Sequence, residues 1–248
     1  MMENLSTEIL QKIEWFDRNF DDINRRIASV CEQVGKKPSD IIMLAATKTV
    51  PVEVINHAIK SGVKYIGENR VQEFLSKKDE LLPDAHRHFI GHLQTNKVKD
   101  IVGEVEMIES VHSVKLAAEI NRFCEKSGKV MDILLEVNIG NEESKSGFSP
   151  DELEEKLIEI GKMPFIKVKG LMAIPPICDN NEKSMQYFEK MSKLFIDIGA
   201  KIKDNDNIDM LYLSMGMSGD FEQAIRSGAN IVRIGTSLFG QRDYSKAK

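Results

Sequence analysis

Eight short runs of β-branched and apolar residues, each separated from the next by a segment with apolar residues at helical spacing, constrain this chain more than any other feature. The runs are IIMLAAT (41–47), VKYIGEN (63–69), HRHFIGHL (86–93), MIESVHS (107–113), DILLEVNI (132–139), VKGLMAI (168–174), MLYLSMGM (210–217) and NIVRIGTS (230–237). Strands alternating with helices read as repeated β/α units around a parallel sheet. The segments between them include VEVINHAIKSG, RVQEFLSKKDELL, NKVKDIVGEV, VKLAAEINRFCEKSG and PDELEEKLIEIGKM. Several end in Gly or Ser-Gly, as helix C-caps do. Pro51 near one helix start, and Ser149-Pro150 before Asp151 and Glu152 at another, suit the geometry and dipole of a first turn. A further helix is expected from about Ser6 to Val34, its stripe of Ile9, Ile13, Phe16 and Phe20 packing on the rest.

Eight units in 248 residues favour a closed (β/α)8 barrel over an open sheet, since such a barrel typically needs about 250 residues. No GxGxxG supports a dinucleotide fold. The expected class is therefore α/β, one TIM barrel over residues 1–248 with an extra N-terminal helix. No apolar stretch approaches the roughly 20 residues of a membrane span. The start, MMENLSTEILQKIEW, lacks the basic flank and apolar core of a signal peptide, so a cytoplasmic location is expected. Net charge −5 argues against a nucleic-acid surface, and Lys97 and Lys99 read first as a solvated helix start. Cys31, Cys124 and Cys178 form no metal or disulfide spacing and read as ordinary thiols.

In such a barrel the βα loops at the carboxyl ends of the strands form the site, and phosphate is often bound after strands seven and eight. SMGMSGD and RIGTS are small, hydroxyl-rich, glycine-containing turns that expose backbone N–H groups. Ser218 and Thr236 offer hydroxyls and Gly235 lets a ligand approach. The plainer alternative is that Ser218-Gly219-Asp220 caps the next helix. Lys48 stands at the end of strand one, where partial burial lowers a lysine pKa and suits an amine that attacks a carbonyl to form a Schiff base. A lysine opposite a phosphate cradle indicates an aldolase-type enzyme or a pyridoxal 5′-phosphate (PLP) protein. Arg233, two residues before Gly235, is positioned for a pyridine nitrogen or for a salt bridge in the barrel wall.

ATKTV, YIGENRVQE, HFIGHLQTNK, VNIGNEESKSGF, GLMAI, LSMGMSGDFEQAI and VRIGTSLFG, in that order, strongly resemble the PLP homeostasis protein family over nearly the whole chain. That family is similar to the barrel domain of alanine racemase, the type III PLP fold. The resemblance implies covalent PLP on Lys48, with Asn69 beside the cofactor and Ser214, Met215 and Ser218 lining the phosphate side. Gly235 and Thr236 would bind phosphate and Arg233 would face the pyridine nitrogen. It implies a role in intracellular vitamin B6 balance without established turnover, with PLP-dependent apoenzymes as further partners.

An arginine, with a pKa above about 12, discourages protonation of the pyridine nitrogen and makes the ring a weaker carbanion sink. Alanine racemases carry a second, β-rich domain after the barrel, whereas here only SLFGQRDYSKAK follows strand eight, so a monomer with an open site is expected. His92 and His112 are weak candidates for a second base. The alternatives are a slow PLP-dependent amino-acid racemase and an aldolase-like enzyme without PLP.

Overall fold

The computed structural model of the chain describes residues 6–142, 145–176, 181–202 and 205–241. Cys178 and residues 242–248 of the expected tail lie outside them. The strands are β1 (Ile42–Ala46), β2 (Tyr65–Glu68), β3 (His86–Phe89), β4 (Met107–Val111), β5 (Met131–Val137), β6 (Ile166–Ala173), β7 (Ile208–Met217) and β8 (Ile231–Ile234). All pair in parallel and in sequence order, and β8 returns to β1 to close the barrel. Leu44 lies opposite Arg233 across that closure.

Successive strand residues face opposite sides of the sheet, and this sorts the core into two layers. Leu44, Ile90, Met107, Leu134, Met172 and Ile231 pack together inside the barrel. Ala45, Ile66, Phe89, Ile108, Ile133, Leu171, Leu213 and Val232 face outward into the larger core beneath the helices. Residues two positions beyond the inner set, such as Glu109, Glu136 and Arg233, therefore form the next ring inside the barrel, at the carboxyl end of the strands.

The helices are α1 (Thr7–Gln33), α2 (Val52–Lys60), α3 (Val71–Lys77), α4 (Val98–Ile101), α5 (Val114–Ser127), α6 (Leu153–Ile160), α7 (Asn181–Lys201), α8 (Phe221–Arg226) and α9 (Thr236–Phe239). The expected N-terminal helix is α1, started by Ser6, whose Oγ accepts from the Ile9 N–H at 3.4 Å. Its apolar stripe packs on α2, α8 and α9. Phe16 is fully buried and stacks on Phe20 (5.1 Å between centroids) and on Phe239 (5.8 Å).

Two expected strands are shorter than their apolar runs. The run 86–93 leaves the sheet after Phe89, because Gly91 comes so close to the Asn69 backbone that any side chain there would collide with it. The run 230–237 stops at Ile234, and Thr236 instead begins α9. The helix expected over 96–105 is one 3-10 turn, Thr95–Lys97, followed by the four-residue α4. Cys31 and Cys124 are buried free thiols, and burial pushes Cys124 up to about 11. Among the described residues no helix is long and apolar enough to cross a membrane.

Candidate functional site

The chain is tied down just before it reaches Lys48. Thr47 is fully buried: its N–H donates to the Gly67 carbonyl (3.0 Å) and its hydroxyl to Glu68 Oε1 (2.6 Å). From α3, Lys77 Nζ donates to the Thr47 carbonyl (3.2 Å) and to Glu73 Oε1 (2.6 Å), and lies 3.7 Å from Glu68 Oε1. Glu73 also accepts from the Thr49 N–H. Thr49 adopts φ +63°, an unfavourable conformation for a β-branched residue that persists only where its surroundings over-determine it. Burial raises the Glu68 pKa, opposed by Lys77 and by the Thr47 hydroxyl. The resulting turn sets the half-buried Lys48 at the lip of a cavity of about 880 Å³, which Arg70, Gly235, Thr236 and Phe239 also line. Ile9 and Lys12 of α1 form part of its wall.

Below the rim a chain of buried polar groups crosses the barrel. Arg233 is 4% exposed. Its NH1 donates to Ser214 Oγ (2.6 Å) and its NH2 to the Ala173 carbonyl (2.9 Å). Ser214 Oγ donates in turn to Glu109 Oε2 (2.6 Å), and His88 Nδ1 donates to Glu109 Oε1 (2.7 Å). Burial alone would raise the Glu109 pKa, but the His88 hydrogen bond and the His88 and Arg233 charges outweigh it and hold the carboxyl below its ordinary value. Burial lowers the Arg233 pKa, opposed by Glu109, Glu136 and Asp220. The guanidinium uses two of its five N–H donors in these bonds.

The loops after β7 and β8 meet at Ser218. Its Oγ accepts from the N–H groups of Gly235 and Ser237, both at 3.2 Å, and the Ser237 hydroxyl donates to the Ser218 carbonyl at 3.3 Å. Two backbone donors thus converge on one oxygen next to the Thr236 hydroxyl, a donor arrangement suited to an anion. Gly216 has φ +91°, and a side chain there would strike Ala224 of α8. The residue at the N-cap position of α8 is Asp220, but its side chain makes no capping bond to the helix and instead accepts from the Met217 N–H at 2.6 Å.

Of the eight residues expected at the site, Lys48, Gly235 and Thr236 line one cavity. Ser218 adjoins it through Gly235. Ser214 stands beneath, between Arg233 and Glu109, so the two serines part company: Ser218 belongs with the loops after β7 and β8 and Ser214 with the floor. The side chain of Met215 departs from its expected place. It is fully buried in the outer core, because residue 215 faces away from the barrel interior when Ser214 faces in, which leaves only its backbone to the phosphate side. Asn69, just after β2, has a buried Oδ1 with no hydrogen-bond partner, and it does not line the cavity.

His92 and His112 stack on each other at 4.4 Å and do not line the cavity. Lys97 and Lys99 also lie outside it. Glu109, His88 and Glu136 were not singled out from sequence, although a charged residue inside an apolar strand run such as MIESV is itself a signal, since such groups are buried only when paired. The donor set fits PLP: an amine for its aldehyde, a guanidinium with spare N–H groups for its ring nitrogen, and convergent amides with hydroxyls for its phosphate.

Comparison with known proteins agrees with this geometry. Residues 20–243 match the family model described as alanine racemase, N-terminal domain. The chain is 46% identical over 220 residues to the pyridoxal phosphate homeostasis protein of Aquifex aeolicus, covering 88% of this chain and 95% of that one. A solved structure of a protein from Bifidobacterium adolescentis superimposes with TM-score 0.87 at 34% identity, covering 96% of this chain and 98% of that one. PipY of Synechococcus elongatus, solved with PLP bound, gives TM-score 0.76 at 30% identity, covering 88% of this chain and all of PipY. The chain therefore belongs to the alanine racemase N-terminal domain family, and within that family to the pyridoxal phosphate homeostasis proteins.

Proposed function

We propose that this protein binds PLP covalently and reversibly through Lys48 and acts in intracellular PLP homeostasis without catalytic turnover. The observation that carries the reading is that Lys48 shares one cavity with Gly235 and Thr236, while the Gly235 and Ser237 amides converge on Ser218 Oγ and Arg233 lies buried beneath. When bound, PLP supplies an electrophilic aldehyde and an electron-withdrawing pyridine ring. Lys48 Nζ is the nucleophile toward that aldehyde. Gly235, Thr236, Ser218 and the Met215 backbone hold the phosphate end. Ser214 and the Ala173 carbonyl fix the Arg233 guanidinium, which would donate to the ring nitrogen of a bound PLP and, staying charged, would not hand it a proton. Asn69, just after β2, would stand beside the cofactor.

Incubation with PLP is expected to give a visible absorption band that Lys48→Ala lacks; an unchanged band in the variant overturns the assignment of Lys48. Deuterium exchange at Cα of a panel of L-amino acids is expected to stay at the level of free PLP, and exchange above it would favour the racemase alternative.

A further inference from the structure

Among the described residues Glu136 is an inward carboxyl toward the carboxyl end of the barrel with no hydrogen bond to its side chain. Leu134 packs inside the barrel, so Glu136, two residues further along β5, points the same way one layer higher. It pairs across the sheet with Met172 of β6, which in turn pairs with Ser214 of β7. Arg233 starts on β8 and extends past β7 to reach the Ala173 carbonyl on β6. Its guanidinium therefore lies toward β6, near enough for its charge to act on Glu136 of the neighbouring β5. Among the described residues no hydrogen bond satisfies the Glu136 carboxyl, which is half-buried. Glu109, in contrast, is fully buried and bonded through both oxygens.

We propose that Glu136 faces bound PLP and takes up a proton when the cofactor binds. The step rests on the reading of the site above. A ring seated on Arg233 lies next to Glu136, and PLP brings a phosphate and a phenolic oxygen that carry negative charge. It also draws on the same guanidinium that otherwise offsets the Glu136 charge. An anionic carboxylate there is opposed on both counts, and a proton from solvent, added to a Glu136 carboxyl oxygen, removes the conflict.

The surroundings leave few other compensating charges. From β4 the inward group is Glu109, itself an anion held by His88 of β3. From β6 the inward neighbours are Gly170 and Met172, which do not titrate. From β8 comes Arg233, with Asp220 acting on it from beyond β7, and Lys48 stands on the β1 rim across the mouth. Burial, opposed by Arg233, already pushes the Glu136 carboxyl up to about 7 before any ligand arrives, so near neutral pH little further rise is needed to keep the proton on.

The test is calorimetry of PLP binding at pH 8 in buffers of different ionisation enthalpy, on the wild type and Glu136→Gln. Lys48 and the cofactor phosphate also exchange protons, so the difference between the two proteins is the readout. At pH 8 the wild type is expected to take up a measurably larger fraction of a proton than the variant, and its affinity to fall more steeply as pH rises from about 6.5 to 8.5. Infrared difference spectra of the wild type with and without PLP give the same answer without a variant, through growth of the protonated-carboxyl stretch. Equal proton uptake in the two proteins together with no such growth overturns the proposal. Failure of the wild type to bind PLP would instead overturn the proposed function.

Discussion

Glu109 shows how much of this barrel depends on a few buried charges. Its carboxylate satisfies His88 and Ser214, and Ser214 in turn holds Arg233. Removing one partner of such a buried set costs more than the set itself contributes, because it leaves a charge unpaired. Glu109→Gln is expected to lose about 3 kcal/mol at pH 7 in urea denaturation. The sign of its pH dependence follows from a folded pKa held below the ordinary value of 4.5. The stabilisation is fully present above that value and disappears as pH falls through the folded pKa. The deficit of the variant should therefore shrink in acid, and a deficit constant down to about pH 3 would show that charge is not its cause. Sequence reasoning reached Lys48, Arg233 and the phosphate loops because each breaks a local expectation at a strand end. It did not reach Glu109, His88 or Glu136, whose significance lies in side chains from other strands meeting inside the barrel.

At the scale of elements, the alternation of period-two and helical patterns located all eight strands, and α1 matched its expected span almost to the residue. Strand ends were less legible. Where β3 stops depends on the close approach of Gly91 to Asn69, and where β8 stops depends on α9, both of which are tertiary facts. The same holds for Met215, whose side chain is drawn outward by strand alternation although it lies among site residues in sequence. α1 is more than a cover. Phe16 stacks on Phe239, and Phe239 lines the cavity with Ile9 and Lys12. Phe16→Ala is expected to cost about 4 kcal/mol in stability and also to weaken PLP binding several-fold. A variant that loses stability but binds PLP with unchanged affinity would separate α1 from the site.

Considered as a whole, the molecule places Lys48 just past β1 and the buried Arg233 on the adjacent β8. β8 closes against β1, so the amine of Lys48, the phosphate loops and the Arg233 floor lie within one sector of the mouth, with Glu136 on the far side of the guanidinium. A ligand gripped by all of them binds only the folded barrel, and PLP is expected to raise the unfolding temperature accordingly. The most direct test of this arrangement is borohydride reduction of the PLP-loaded protein followed by peptide mass mapping. The account predicts a pyridoxyl group fixed on Lys48. A label on another lysine, or none after incubation with PLP, would contradict it.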